Sequence, residues 1–143
     1  MISKTCGYAI RGVIFLALNE NINRKIGIHE IAEDLKVPQQ FMGKILQELV
    51  RKSILKSTKG PHGGFYVDDS ILELSLIKIV EAIDGLGVLK KCFLGREECS
   101  SENPCPMHDE FEVCRSSIFE TFQSKNIQYF VEHIEDGSTF LAI

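Results

Sequence analysis

The sequence predicts a mainly α chain that carries one small β-hairpin and ends in a long helix. Three observations predict it. Apolar residues recur at helical spacing through the first 52 residues, broken by one polar loop and one tight connection. A dense Gly/Pro turn, Thr58-Lys59-Gly60-Pro61-His62-Gly63, separates two short strand-like runs. From about Pro106, apolar residues fall four, three, four and four apart. At 143 residues with 44% apolar side chains, the chain is one domain, or a small domain with an appendage, and can bury a real core.

The elements follow in order. Residues 1–19 read as a first helix: Ser3 can cap it, and Ala9, Ile10, Val13, Ile14, Ala17 and Leu18 share a face. Cys6 lies near its start, where the helix dipole favours a thiolate, although a small buried residue is the more ordinary role for it. Residues 19–27 are polar and turn-rich. His29–Leu35 is a short second helix, Lys36-Val37 a tight connection, and Pro38 suits the first turn of a third helix running to about Lys52. Phe41, Ile45, Leu46 and Leu49 are its expected inward face, leaving Gln39, Gln40, Gly43, Lys44 and Gln47 outside. Residues 53–57 and 64–67 are the expected strands. Ser75 can cap a further helix, Leu76–Asp84, which Gly85 and Gly87 end. The long helix runs from about Pro106 to Ser124, and residues 126–134 make a last short helix before Gly137-Ser138 and an apolar tail.

Two short helices joined by a tight turn form a helix-turn-helix, and a hairpin directly behind the second helix makes it winged. Gln39, Gln40 and Lys44 suit base edges and phosphate, since Gln pairs with adenine and Lys with guanine or phosphate. Arg51, Lys56, Lys59 and His62 place positive charge on or beside the wing, where a cation can enter the minor groove. The charge distribution agrees: residues 1–66 carry 10 Lys+Arg against 5 Asp+Glu, while residues 67–143 carry 6 against 15. A basic head on an acidic body suits a front end that meets phosphate.

Three of the five cysteines, Cys92, Cys99 and Cys105, fall in one loop with spacing C-x6-C-x5-C, and His108 follows at C-x2-H. Gly95, Asn103, Pro104 and Pro106 make that loop one that wraps rather than packs. Thiolates gathered in this way hold an iron–sulfur cluster or zinc. Cys105-Pro106 is like the Cys-Pro step of ferredoxin loops, and no C-x2-4-C pair typical of zinc is present. His108 is the natural fourth ligand; a polar residue in a helix's first turn is the bland alternative. On the long helix, Met107, Phe111, Cys114, Ile118 and Phe122 form a near-heptad seam suited to pairing two chains, with Cys114 structural within it. The expected division is therefore 1–84 for a DNA-binding winged helix, 85–107 for a cysteine-rich loop, and 108–143 for a dimerisation helix and tail.

No apolar run approaches the roughly 20 residues of a membrane span, and no secretory signal is visible, which favours a cytoplasmic protein without membrane contact. An odd number of cysteines without an export signal points to metal or redox use rather than disulfides.

The chain resembles the Rrf2 family of winged-helix transcription regulators over nearly its whole length. Ser3-Lys4 with Tyr8-Ala9 is similar to the family's first helix, and Ile31-Ala32 with Val37-Pro38 and Phe41 to its helix-turn-helix. Lys59-Gly60-Pro61-His62-Gly63-Gly64-Phe65 resembles its wing, and residues 79–85 the segment before its cluster loop. The three cysteines match the cluster-binding branch (IscR-, NsrR- and RirA-like). The resemblance implies a homodimer on a partly palindromic operator, tuned by a 2Fe-2S or 4Fe-4S cluster, with recognition by Gln39, Gln40 and Lys44 and minor-groove contact by Lys59. Three departures stand out. The first cysteine gap is x6, one longer than in the best-known members. Gly7 occupies the place where some relatives carry a ligating acid, leaving His108, or Cys6 of the partner chain, as fourth ligand. Gly43 stands where IscR-like proteins carry a glutamate that shapes operator choice.

The leading expectation is a cluster-controlled transcription regulator, most simply a repressor. The alternatives are a winged-helix regulator with a zinc site or bare thiol redox switch, and a protein-binding winged-helix module. No acid–base constellation of an enzyme is visible.

Overall fold

The computed structural model describes residues 1–18, 20–97 and 99–141. Asn19, where the first helix was expected to end, and the last two residues of the apolar tail lie outside them.

Helix α1 (Lys4–Ala17) begins as expected: the Ser3 Oγ accepts the Cys6 amide at 3.0 Å, a cap that contributes about 1 kcal/mol. Its buried side includes Ala9, Val13 and Leu16, and Gly12 lets α3 cross closely, since a Cβ there would stand 3.2 Å from Leu46 Cδ2. Helices α2 (Ile28–Asp34) and α3 (Gln39–Arg51) are joined through Lys36, whose φ of 52° is left-handed, with the Val37 amide donating to the Ala32 carbonyl at 3.0 Å. Pro38 sits one place earlier than expected, as the residue that caps α3, and its carbonyl accepts the Met42 amide.

The expected inward face of α3 needs one correction. Met42, Ile45, Leu46 and Leu49 are buried, whereas Phe41 is 39% exposed and packs edge-on against Tyr8 at 5.7 Å. Both residues fit a helical stripe ending in Ile45 and Leu49. Position 42 faces Gly12 of α1, and that geometry decides which of the two goes inside.

Strands β1 (Lys56–Thr58) and β2 (Gly64–Tyr66) pair antiparallel with Ser57 opposite Phe65. The first strand starts later than expected. Ser53 adopts a left-handed φ of 59° behind α3, and Ile54 and Leu55 turn into the core, both amides bonding to the Leu49 carbonyl. The hairpin is anchored at its base by reciprocal backbone bonds of 2.9 Å between Ile26 and Phe65. Its glycines are required. A Cβ on Gly63 would lie 2.2 Å from the Thr58 carbonyl oxygen, and one on Gly64 would lie 2.6 Å from the Ile26 backbone.

A one-turn helix α4 (Asp69–Leu72), capped by Asp68, follows; at four residues it left no periodic signal to read. Helix α5 (Leu76–Ile83) starts after Ser75, which makes no side-chain cap bond, and ends at Gly85, whose φ is 73°. A 3-10 turn at Leu86–Leu89 leads into the cysteine loop. Helix α6 (His108–Ser124) opens two residues later than expected and packs on α5 with His108 as its one buried residue. Helix α7 (Ile127–Glu135), capped by Asn126, folds back onto α1 and α4. Ile127 and Val131 belong to the same core as α1 and α3. The Leu76 amide donates to the Lys125 carbonyl at 2.8 Å and the Ile127 amide to the Leu74 carbonyl at 3.0 Å, so the starts of α5 and α7 are stitched together. Among the described residues no helix is long and apolar enough to cross a membrane.

Candidate nucleic-acid interface and thiol site

On the head, Gln39, Gln40 and Lys44 all stand exposed on α3. Gln39 Oε1 lies 3.4 Å from His29 Nδ1 of α2, so the first residue of α3 is steadied by the preceding helix. Lys59 and His62 are exposed at the tip of the hairpin, beside Gly60, whose φ of 105° makes the turn. Among the described residues Lys44 and Lys59 hold no ion pair, so their charge faces solvent. Two other expected contacts are already engaged. Arg51 pairs with Glu48 at 2.5 Å, and Lys56 pairs with Asp68 across the base of the wing. The Lys56 hydrogen bond, followed by that of Ser70, holds the Asp68 carboxyl below its ordinary value, and the Asp68 bond raises Lys56 in turn.

The cysteine loop brings its four expected residues together as two touching pairs. Cys92 Sγ lies 3.8 Å from Cys105 Sγ, and Cys99 Sγ lies 3.0 Å from His108 Nδ1. Local geometry explains this convergence. Gly95, at a φ of 84°, turns the chain back after Cys92, with its amide bonded to the Cys92 carbonyl at 3.0 Å. The Arg96 guanidinium donates to the Asn103 carbonyl at 2.8 Å and draws the loop's ends together. The His108 amide donates to the Cys105 carbonyl at 2.9 Å, so the C-x2-H spacing becomes the turn that opens α6. Cys92 and His108 are buried, while Cys99 and Cys105 are half-buried. The Leu94 backbone amide, aided by Cys105, Arg96 and Cys99, outweighs burial and lowers the Cys92 thiol's pKa. A lowered thiol pKa favours the thiolate form in which a cysteine binds metal. Among the described residues, no three His, Cys, Asp or Glu side chains converge on a single ion position.

Cys6 stands apart from this group. It is fully buried, and burial, followed by Asp84, pushes its thiol up to about 12. The helix start does not make it a thiolate, because the loss of solvent outweighs the dipole. On α6, Phe111, Ile118 and Phe122 are half-buried against their own chain, with Phe111 against Phe93 at 5.3 Å and Phe122 against the core. Cys114 is exposed, as are Met107, Val113 and Phe119.

The sequence reading missed four supporting residues. Glu112 brings Oε2 to 3.7 Å from His108 Nε2; its position one turn after His108 was the available signal. Arg115 reaches the Lys90 and Lys91 carbonyls at 3.2 and 3.4 Å and ties α6 to the chain before Cys92. Arg96 closes the loop. Asp84 accepts both the amide and the hydroxyl of Ser3, at 2.6 and 2.5 Å, joining the end of α5 to the start of α1. Nothing in a single sequence marks a bond spanning 81 residues.

Comparison with known proteins agrees with this architecture. The profile of the Rrf2 family, described as iron-dependent transcriptional regulator, matches residues 2–133. An HTH-type transcriptional regulator of Aquifex aeolicus is 31% identical over 96% of this chain and 95% of its own. The HTH-type transcriptional regulator NsrR of Oceanobacillus iheyensis is 21% identical over 99% and 97%. Among solved structures, CymR, the global cysteine regulator of B. subtilis, superposes with a TM-score of 0.71 at 18% identity, covering 93% of this chain and 97% of that one. IscR of T. potens does so at 0.73 and 17% identity, covering 97% and 91%. At these identities the two structures speak for the fold alone.

Proposed function

Because the chain belongs to the Rrf2 family of transcription regulators, we propose that it is a cytoplasmic, homodimeric repressor whose operator affinity is set by an iron–sulfur cluster on Cys92, Cys99, Cys105 and His108. The observation that carries this reading is the pairing of the four side chains, at 3.8 and 3.0 Å. Two ligands on one tetrahedral ion at about 2.3 Å each lie about 3.8 Å apart, which is the Cys92–Cys105 separation. Three thiols and one imidazole would supply the four ligands of a 2Fe-2S or 4Fe-4S cluster, a set that zinc would also accept. When bound, such a cluster supplies a centre sensitive to iron supply, nitric oxide or redox state.

The chain's own residues do the rest. Backbone amides lower the Cys92 pKa, which favours its ligand form, and Glu112 faces the ring nitrogen of His108 that points away from Cys99. Arg115 links the loop to α6, and the Asp84–Ser3 bonds join the end of α5, just before the loop, to α1, on which α3 packs. A change in the loop can therefore reach the recognition helix through hydrogen bonds rather than through distance. Lys44 and Lys59 supply phosphate and minor-groove contacts, while Gln39 and Gln40 meet base edges. The seam of α6 through Phe111, Cys114, Ile118 and Phe122 supplies the pairing surface.

The test is anaerobic purification with iron and sulfide analysis and a visible absorption spectrum. Stoichiometric iron and sulfide with visible bands support the cluster. Zinc without sulfide would replace it by a structural metal site.

A further inference from the structure

His29, near the start of α2, lies beside the first residue of the recognition helix. Its Nδ1 stands 3.4 Å from Gln39 Oε1, and its Nε2 stands 3.8 Å from Glu33 Oε2, one turn along α2. Both neighbours are acceptor oxygens. A neutral imidazole carries a proton on only one of its two nitrogens, so two facing acceptors are satisfied together only by the protonated ring. Among the described residues Glu33 is the charged group in contact with that ring. Glu30, next to His29 in the chain, is taken by Arg24, and across the helix contact α3 brings uncharged Gln39 and then Gly43, which packs on Ile28.

When the ring loses its proton, one of the two contacts has to change. The Glu33 carboxylate has no proton to donate, so it keeps the Nε2 proton and leaves a lone pair on Nδ1 facing Gln39. The Gln39 amide resolves the conflict by a half-turn, after which its NH2 donates to Nδ1. That half-turn exchanges what Gln39 shows on its outer side. With Oε1 on the ring, the NH2 points outward, a donor suited to guanine O6 and N7 or thymine O4. With NH2 on the ring, Oε1 points outward, an acceptor suited to adenine N6 or cytosine N4. We propose that His29 is a positioning residue for base readout, its protonation deciding whether Gln39 offers the base edge a donor or an acceptor. The inference rests on the reading of Gln39 as a base contact and adds to it a dependence on pH, since histidine changes charge between about pH 5 and 8.

His29, Glu33 and Gln39 are all exposed, so each can be replaced without disturbing the core. The experiment selects bound sequences from a random duplex library with full-length protein at about pH 5.5 and about pH 8, at equal salt. In the unaltered protein, preference at one base pair should shift by about fivefold or more between the two conditions, from guanine or thymine towards adenine or cytosine. His29→Ala should give one profile at both. The wing's His62 and every other titrating group remain in that variant, so the difference isolates His29. In Glu33→Gln the new amide can donate to Nε2, the neutral ring can keep its proton towards Gln39, and the shift should shrink. A second measurement needs no DNA: by NMR, the Gln39 side-chain amide should follow the titration of the His29 ring and cease to do so in His29→Ala. A profile unmoved by pH, a shift that persists in His29→Ala, or a Gln39 amide indifferent to the ring would overturn the proposal. Gln39→Ala separates the two readings. If it leaves the profile unchanged, Gln39 reads no base and both fall; if it alters a profile that pH does not move, Gln39 remains a base contact and only the role of His29 is lost.

Discussion

Burial holds Cys6 protonated well beyond the ordinary thiol range, at about 12, with Asp84 adding to the effect. Iodoacetamide at mildly alkaline pH should therefore spare Cys6 in the native protein, label Cys114, and label both after denaturation. The unfolded chain ionises this thiol at its ordinary value while the folded chain does not, so folding stability should fall as pH rises from that value towards 12. The Lys56–Asp68 pair carries the opposite signs. Asp68 is lowered and Lys56 is raised, so their tether on the wing is lost as pH falls through the Asp68 value or rises through that of Lys56. In Lys56→Ala the Asp68 carboxyl should titrate higher by NMR, and an unmoved titration would discount the pair. For DNA, Lys59→Ala should weaken binding on all sequences and flatten the salt dependence, while Gln40→Ala should relax base preference by about 1–3 kcal/mol at one base pair. Single residues of the thiol site were legible because spacing alone collects them. The engagement of Arg51 and Lys56 was not, because charge in a sequence does not reveal its partner.

The wing depends on two adjacent glycines. Gly63→Ala forces a methyl group against the Thr58 carbonyl, a backbone atom that cannot yield cheaply. Operator affinity should drop in this variant while the thermal midpoint of the core changes little, as the hairpin contributes few buried side chains. Helix α6 is the other element whose sequence exceeds what its own chain uses. It spans 17 residues with only His108 buried, and exposes Val113, Cys114 and Phe119. Ile118→Asp should shift sedimentation to monomer, because a charge buried without a partner is costly. Ile118 also leans on its own chain, so Cys114→Arg tests the surface without touching the fold; a fully dimeric Cys114→Arg protein would move the interface elsewhere. Helices α1, α3 and α5 could be read in the sequence from apolar periodicity, and the Ser3 cap marked the start of α1. The Phe41/Met42 exchange could not, because it is decided by Gly12 on another helix, and β1 was displaced by the left-handed turn at Ser53.

For the molecule as a whole, the loop is held to α6 by Arg115, and α5, which leads into it, is held to α1 by Asp84. Half-sites lie about 34–36 Å apart on a duplex, so in the proposed dimer a small rotation at the loop would misplace two recognition helices together. Cluster-bound and cluster-free protein should bind one operator with different affinities when titrated anaerobically at equal salt. Equal affinities would return the loop to a structural role. The stitching of α7 to the start of α5 has a further consequence, which belongs to genetics. Ile127 and Val131 each contribute roughly 1.5–3 kcal/mol of burial to the core that supports α3, comparable together to much of a small domain's net stability. A stop codon after α6 would therefore leave no operator-binding fragment behind. Nonsense alleles anywhere before residue 127 should behave as recessive nulls, and a nascent chain should gain its DNA affinity only when α7 has been synthesised.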